Sequence, residues 1–241
     1  MFSNNVVISD IIAGGLSVGI TVSLLKLLEQ TATRGVFEQK LNRKLVHISF
    51  GLVFMLCWPM FSSGRLGAVV ASLIPGMNII NMLLLGFGIW KNDATVKSMT
   101  RNNDHRELLK GPLYYASALT LFTAIYWRTS PIAIAGLCNV CAGDGVADIF
   151  GRRFGRRKLP YNRDKTVAGS IAMACAGFFA SVGYMIYFLW LGYIQGTFKL
   201  VVGFLVVSIA SAVVESHPKS TELDDNLTVP LAVVFVGSLV F

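Results

Sequence analysis

Eight apolar runs divide this chain, near residues 6–28, 45–62, 66–90, 112–128, 131–150, 168–193, 200–215 and 228–241. About twenty apolar residues cross a bilayer as a helix. The last run has fourteen residues, so the count of crossings is seven or eight. Only 14% of the residues are charged, against about 25% in a soluble domain. The fold class is therefore all-α: a polytopic integral membrane helix bundle with seven or eight transmembrane helices. No repeat, low-complexity segment or long linker interrupts it, so residues 1–241 are expected to form a single polytopic domain.

The cations say which way the runs cross. Loops after odd-numbered runs hold seventeen lysines and arginines, whereas loops after even-numbered runs hold only Arg65, Arg128 and Lys199. The positive-inside rule therefore places all the long loops on one membrane face. Trp58, Trp127 and Trp190 lie at the far ends of their runs, where an interfacial aromatic belt belongs. This distribution also explains the net charge of +8 without nucleic acid: the partners it fits are the bilayer and anionic ligands. The first run has neither a basic leader nor a small-residue cleavage site, so a retained helix is expected.

Several residues read most simply as structural. Cys138 and Cys141 form a C-x-x-C, but no second pair or nearby histidine completes a metal or redox site, and thiols pack well in helices. Asn78 and Asn81 in the third run suit interhelical hydrogen bonding. His47 reads as an interfacial residue. Arg106, Glu107 and Lys110 read as a charged loop before the Gly111-Pro112 break, with phosphate contact as the alternative.

Residues 139–170, NVCAGDGVADIFGRRFGRRKLPYNRDKTVAGS, do not read that way. Ser130-Pro131 starts a helix of about 30 Å that ends near Phe150. Asp144 and Asp148 fall in its last turns, four residues apart and so on one face. Carboxylates in a membrane span cost about 2.5–3.5 kcal/mol each near its centre and are usually functional. Beyond them come Arg152, Arg153, Arg156, Arg157, Lys158, Arg163 and Lys165, against one acid, Asp164. The seventh run delivers Glu215 to the same side, followed by a loop with Glu222, Asp224 and Asp225. Mg²⁺ takes one or two carboxylates plus phosphate oxygens, and cations neutralise a transferring phosphoryl group. Asp144 and Asp148 are therefore the expected metal ligands, with Asp224 and Asp225 as alternates. Asp144, Asp148 and Glu215 are the expected catalytic set, and Arg152, Arg153, Arg156, Arg157 and Lys165 the expected triphosphate contacts. The reading is a membrane-embedded phosphotransferase.

No G-x-x-x-x-G-K-[ST], H-R-D or D-F-G occurs, which excludes the P-loop and protein kinases. Asp144-Gly145-x-Ala147 lacks the later arginine and aspartates of the CDP-alcohol phosphotransferases. The pattern Asp144-x-x-Ala147-x-x-x-Gly151-x-x-x-Gly155, then Asp164-Lys165-Thr166-x-x-Gly169, resembles the CTP-binding motif of the dolichol and polyprenol kinase family. The flanks RELLKGPLYY, CNVCAGDGVADIFGRRFG, KLPYNRDKT and ESHPKSTELDDNLT resemble plant phytol and farnesol kinases, over most of the chain from Val36 onward. The resemblance implies CTP-dependent, Mg²⁺-assisted phosphorylation of phytol, geranylgeraniol or farnesol in a chloroplast membrane, feeding tocopherol synthesis when phytol is the acceptor. It adds Gly151, Gly155, Thr166 and Gly169 to the nucleotide-binding residues. Asp164 stands where dolichol kinases carry lysine, and His217 where an apolar residue is expected. A cytidylyltransferase of the CDP-diacylglycerol synthase kind and an anion transporter are the alternatives.

Overall fold

Each apolar run forms a helix, the structure that satisfies its own backbone groups when lipid offers no hydrogen bonds. A computed structural model describes residue 2 and residues 5–241. Among these no strand forms, and one isolated antiparallel bridge joins Lys158 to Thr166. Two compact units divide the chain, Met1–Ile125 and Tyr126–Phe241. Among the described residues five helices are long and apolar enough to cross a membrane: Val6–Thr33, Arg65–Gly86, Pro131–Phe154, Val167–Trp190 and Phe198–Ser216. The other three expected spans are helical but shorter or more charged.

In the first unit α1 (Val6–Thr33) packs against α2 (Gln39–Leu56), α3 (Arg65–Gly86) and α4 (Asp93–Met99). Packed along α3 lies α5 (Gly111–Leu121), which continues into a π turn at Phe122–Tyr126. The α2 helix begins earlier than its apolar run because Lys40, Arg43 and Lys44 form its first turns, and this charge separates it from the five clear spans. A carboxylate buried in α1, Asp10, accepts from the Ser62 N–H at 2.6 Å and the Ser62 hydroxyl at 2.7 Å. His47 stacks on Tyr115, with ring centroids 4.1 Å apart, and its carbonyl accepts from the Tyr115 hydroxyl.

The loop after α3 is folded. Asn92 caps α4 by accepting from the Thr95 N–H at 3.1 Å. Asp104 caps a 3₁₀ turn at His105–Leu109, and Glu107 accepts from the Arg101 N–H and the Asn102 amide. Leu108 is thereby seated among Met82, Leu85 and Val96. The acids of this segment fold it.

In the second unit, helix Pro131–Phe154 consists of α6 (Pro131–Cys138), a π turn at Asn139–Gly143, and α7 (Asp144–Phe154). Its apolar window is 78% buried, against 22–39% for the other four candidate spans, so the helix bearing Asp144 is the one most enclosed by protein. Next come α8 (Val167–Trp190), α9 (Phe198–Ser216), α10 (Pro218–Leu223) and α11 (Asp225–Val240). Packing runs from α7 to α8 to α9, and α11 rests on α9 and α6. A side chain at Gly177 would strike the Asn139 carboxamide, so glycine there lets α8 pass close to the π turn. Cys138 and Cys141 are buried free thiols.

The two ends of this unit are distinct. At one end the Arg128 guanidinium lies 4.0 Å from the centre of the Tyr193 ring, joining the turns before α6 and after α8. At the other end the loop after α7 meets the turn after α9.

Candidate active site

The loop from Gly155 to Thr166 folds back on itself as a short hairpin. The Leu159 N–H donates to the Lys165 carbonyl at 3.1 Å, and the Val167 N–H to the Arg157 carbonyl at 3.1 Å. Thr166 then caps α8, its hydroxyl accepting from the Gly169 N–H at 3.1 Å. A Cβ on Gly151 or Gly169 would stand 3.1 Å from that same hydroxyl oxygen, and one on Gly155 would overlap the Gly151 carbonyl and Thr166. The three motif glycines thus let α7, the hairpin and α8 close around Thr166.

Two side chains fasten the hairpin to the end of α9. The Tyr161 hydroxyl lies 2.9 Å from the Ser216 hydroxyl, and the buried Asn162 amide donates to the Ser216 carbonyl at 3.0 Å and the Thr221 hydroxyl at 3.2 Å. Asn162 also accepts from the Asp164 N–H at 3.1 Å. Sequence reasoning about charge passes over Asn162, although its place in a Pro-Tyr-Asn stretch between apolar runs is a turn signal.

Anchored this way, Lys165 forms an ion pair with Glu215 and a second with Asp225 at 3.3 Å. Asp144 completes the group: single carboxylate oxygens of Asp144, Glu215 and Asp225 lie within 4.8 Å of one another. They come from three elements, the first turn of α7, the last turn of α9 and the first turn of α11. Asp144 and Glu215 are each only 4% exposed. The π turn sets the face that Asp144 presents, because one extra residue in a turn rotates the rest of the helix by about 100°.

Burial would lower the Lys165 ammonium, but Asp225 and Glu215 outweigh it and hold the group above the ordinary lysine range. Asp224 plays a different part from its neighbour. It caps α11 at φ 84°, accepting from the Asn226 N–H at 3.0 Å. Burial, and then the Asp225 charge, push its carboxyl up. His217 caps α10, its ring nitrogen accepting from the Lys219 N–H at 3.2 Å.

Asp148 lies one turn beyond Asp144 and pairs with Arg152 at 2.6 Å, outside the group of three carboxylates. Spacing pairs Asp144 with Asp148, whereas the fold sets Asp144 beside Glu215 and Asp225. Arg153 lies over the Phe154 ring, and Arg156, Arg157, Lys158 and Arg163 are exposed.

Three carboxylates around one ammonium form a site that holds positive charge beside the middle of the most enclosed helix, at the junction of the π turn and α7. The site does not lie in the last turns of that helix, because the helix runs on to Phe154. Three oxygens from separate elements fit a divalent cation, and the Lys165 ammonium already serves there as an internal cation. A further oxygen stands next in sequence to Asp225: the Asn226 side-chain carbonyl is buried without a hydrogen-bond partner among the described residues.

Known proteins match along nearly the whole chain. It is 62% identical over 232 residues to the probable phytol kinase 2, chloroplastic, of Oryza sativa subsp. japonica, covering 96% of this chain and 76% of the relative. To the farnesol kinase, chloroplastic, of Arabidopsis thaliana it is 57% identical over 241 residues, covering 100% of this chain and 78% of the relative. To the phytol kinase 1, chloroplastic, of the same plant it is 40% identical over 240 residues, covering 99% and 79%. No family model and no solved structure matches the chain. The chain belongs to the phytol and farnesol kinase family and is an alcohol kinase.

Proposed function

We propose that the chain transfers the γ-phosphate of CTP to the hydroxyl of a long-chain isoprenoid alcohol in a chloroplast membrane. Phytol is the first acceptor in this reading, with geranylgeraniol and farnesol as others, and phytyl phosphate feeds tocopherol synthesis. The observation that carries the site assignment is the convergence of Asp144, Glu215, Asp225 and Lys165 beside the π turn of an enclosed apolar helix. The names of the relatives support the acceptor class. The similarity spans both units, which supports treating residues 1–241 as one working kinase. Charge asymmetry and the three shorter apolar helices support seven or eight crossings over the five clear ones.

Asp144, Glu215 and Asp225 would hold Mg²⁺, which when bound neutralises charge on the β- and γ-phosphates. Asp148 orients Arg152, and Arg152, Arg153, Arg156, Arg157 and Lys165 bind the triphosphate, with Gly151, Gly155, Thr166 and Gly169 shaping the wall beneath it. Phosphoryl transfer depends chiefly on positioning and on fixed charge around the equatorial oxygens, and these residues supply both. The alcohol oxygen bonds to the γ-phosphorus as the bond to the β-phosphate oxygen breaks. The hydroxyl proton passes to the Glu215 oxygen that a metal would leave free, or to a neighbouring acid, and CDP leaves. The apolar tail stays in lipid while its hydroxyl meets the nucleotide at the membrane face.

Purified protein with CTP labelled at the γ-phosphate, Mg²⁺ and phytol tests the reading. Label should move to lipid, and CTP should outperform ATP, GTP and UTP. Transfer of a CMP moiety from α-labelled CTP would identify a cytidylyltransferase instead, and no transfer of either would favour transport.

A further inference from the structure

Lys165 takes the oxygens that a metal ion needs. Its ammonium pairs with Glu215 and with Asp225, two of the three carboxylates that surround the position, and Asp144 supplies the third. A divalent cation binds carboxylate oxygens directly, at about 2.0–2.1 Å for Mg²⁺. A carboxylate oxygen that turns to a metal gives up its hydrogen bond to Lys165, and an ammonium left beside a dication is repelled strongly at a poorly hydrated site. The metal and Lys165 therefore compete for one seat.

We infer that Lys165 is a built-in cation that fills the metal seat while no nucleotide is bound and is displaced onto the phosphates when the metal–nucleotide complex enters. The inference rests on the assignment of Asp144, Glu215 and Asp225 as metal ligands, and it adds an exchange of cations at that site. Three features of the chain suit Lys165 to the exchange. Its side chain is 20% exposed, so a route to water is open where Glu215, at 6%, has almost none. Its four-carbon stem swings a compact charge between partners, which a planar, bidentate guanidinium does less readily. It stands at the end of a hairpin whose anchors, Tyr161 and Asn162, lie earlier in the loop, so the lysine can move without undocking the hairpin.

The exchange has effects with and without nucleotide. Without it, the three carboxylates stay partly neutralised, which spares the unit an uncompensated cluster of buried charge. Metal alone binds weakly because it must eject the lysine, whereas metal with a triphosphate binds well because the ejected ammonium gains phosphate oxygens. Coupling of this kind is reciprocal, so nucleotide tightens metal as much as metal tightens nucleotide.

The test uses wild-type protein in detergent and Mn²⁺ as the probe. Lys165 should resist reductive methylation without metal, and its modification, mapped by mass spectrometry, should rise several-fold when Mn²⁺ saturates the protein. Unchanged or reduced modification at saturating Mn²⁺ would overturn the exchange. In a second arm, Lys165→Met should bind Mn²⁺ about tenfold more tightly than wild type by electron paramagnetic resonance, with Lys165→Arg close to wild type. A Lys165→Met affinity equal to or weaker than wild type would also overturn it. Asp225→Asn separates this inference from the site assignment. If Asp225→Asn binds Mn²⁺ as wild type does, the ligand assignment fails. If Asp225→Asn loses Mn²⁺ but Lys165 modification does not respond to the metal, only the exchange fails.

Discussion

The Asn162 side-chain amide donates to the Ser216 carbonyl at 3.0 Å, tying the hairpin that carries Lys165 to the end of the helix that carries Glu215. The two partners are 54 residues apart in the chain, and their bond fixes the distance between an ammonium and a carboxylate that are themselves 50 residues apart. The position of Lys165 therefore depends on a residue with no charge.

Replacing Asn162 with alanine should show this dependence. The Ser216 carbonyl loses a partner in a buried setting, and the Thr221 hydroxyl and the Asp164 N–H lose theirs where they are part-buried. Such losses cost about 1–3 kcal/mol. Asn162→Ala should lower the thermal midpoint and reduce kcat/KM for CTP by about tenfold or more, a loss of about 1.4 kcal/mol in transition-state binding. A lower midpoint with unchanged kinetics would make Asn162 a stability residue only.

Much of this architecture is legible in the sequence, and the reasons are physical. An apolar run of about twenty residues has one low-energy conformation in lipid, so each of the eight runs appears as a helix. Charged residues inside such runs are expensive, which is why Asp144 and Glu215 stand out, whereas Lys165 is one of seven cations in its loop and is not singled out by charge. The short helices α4 and α10 are not legible, because Asn92 and His217 set them by local caps on polar segments. Nor is the π turn at Asn139–Gly143, whose residues would suit an ordinary helix equally well. The grouping of carboxylates is hardest to read. Helical spacing sets Asp148 beside Asp144, but only tertiary packing brings Asp225 there from 81 residues away.

Within the second unit, the two ends make a topology prediction. Asn162 bonds to Thr221, so the loops near 160 and 220 share an end, and Arg128 lies on Tyr193, so those near 129 and 196 share the other. Cysteine tags at 160 and 220, on a background lacking the native thiols, should react from one membrane face with an impermeant maleimide. Tags at 129 and 196 should react from the opposite face. A pair split across the membrane would break the arrangement of α6 to α11 as spans.

Asp224 supplies a prediction about pH. Burial, with the Asp225 charge beside it, holds its carboxyl above the usual range. For a raised carboxyl the sign is unfavourable to folding when ionised. The cost is absent below the ordinary value, about 3.9, and grows until pH passes the raised folded value. Asparagine keeps the helix cap, tolerates a positive φ and carries no charge. Asp224→Asn should therefore be more stable than wild type at neutral pH, and the advantage should shrink as pH falls toward about 4. Thermal unfolding across that range checks it, and a variant less stable at neutral pH would remove the assigned cost.

The decisive comparison is among four carboxylates of the second unit. Asp144, Glu215 and Asp225 share a position with Lys165, while Asp148 pairs with Arg152 at 2.6 Å. If the shared position holds the metal that neutralises the phosphates, loss of a ligand there removes stabilisation that phosphoryl transfer needs most in its transition state. Asparagine is nearly isosteric with aspartate and is easier to place in a membrane than a charge, so the variants should insert and fold. Asp144→Asn and Asp225→Asn should each lose at least about a hundredfold in kcat, or roughly 2.7 kcal/mol. Asp148→Asn breaks a half-exposed ion pair and should cost less than about tenfold, felt mainly in KM for CTP through Arg152. Steady-state kinetics of the three variants at saturating Mg²⁺ decides. A hundredfold loss at Asp148 with little at Asp225 would return the metal to the single helical face of α7.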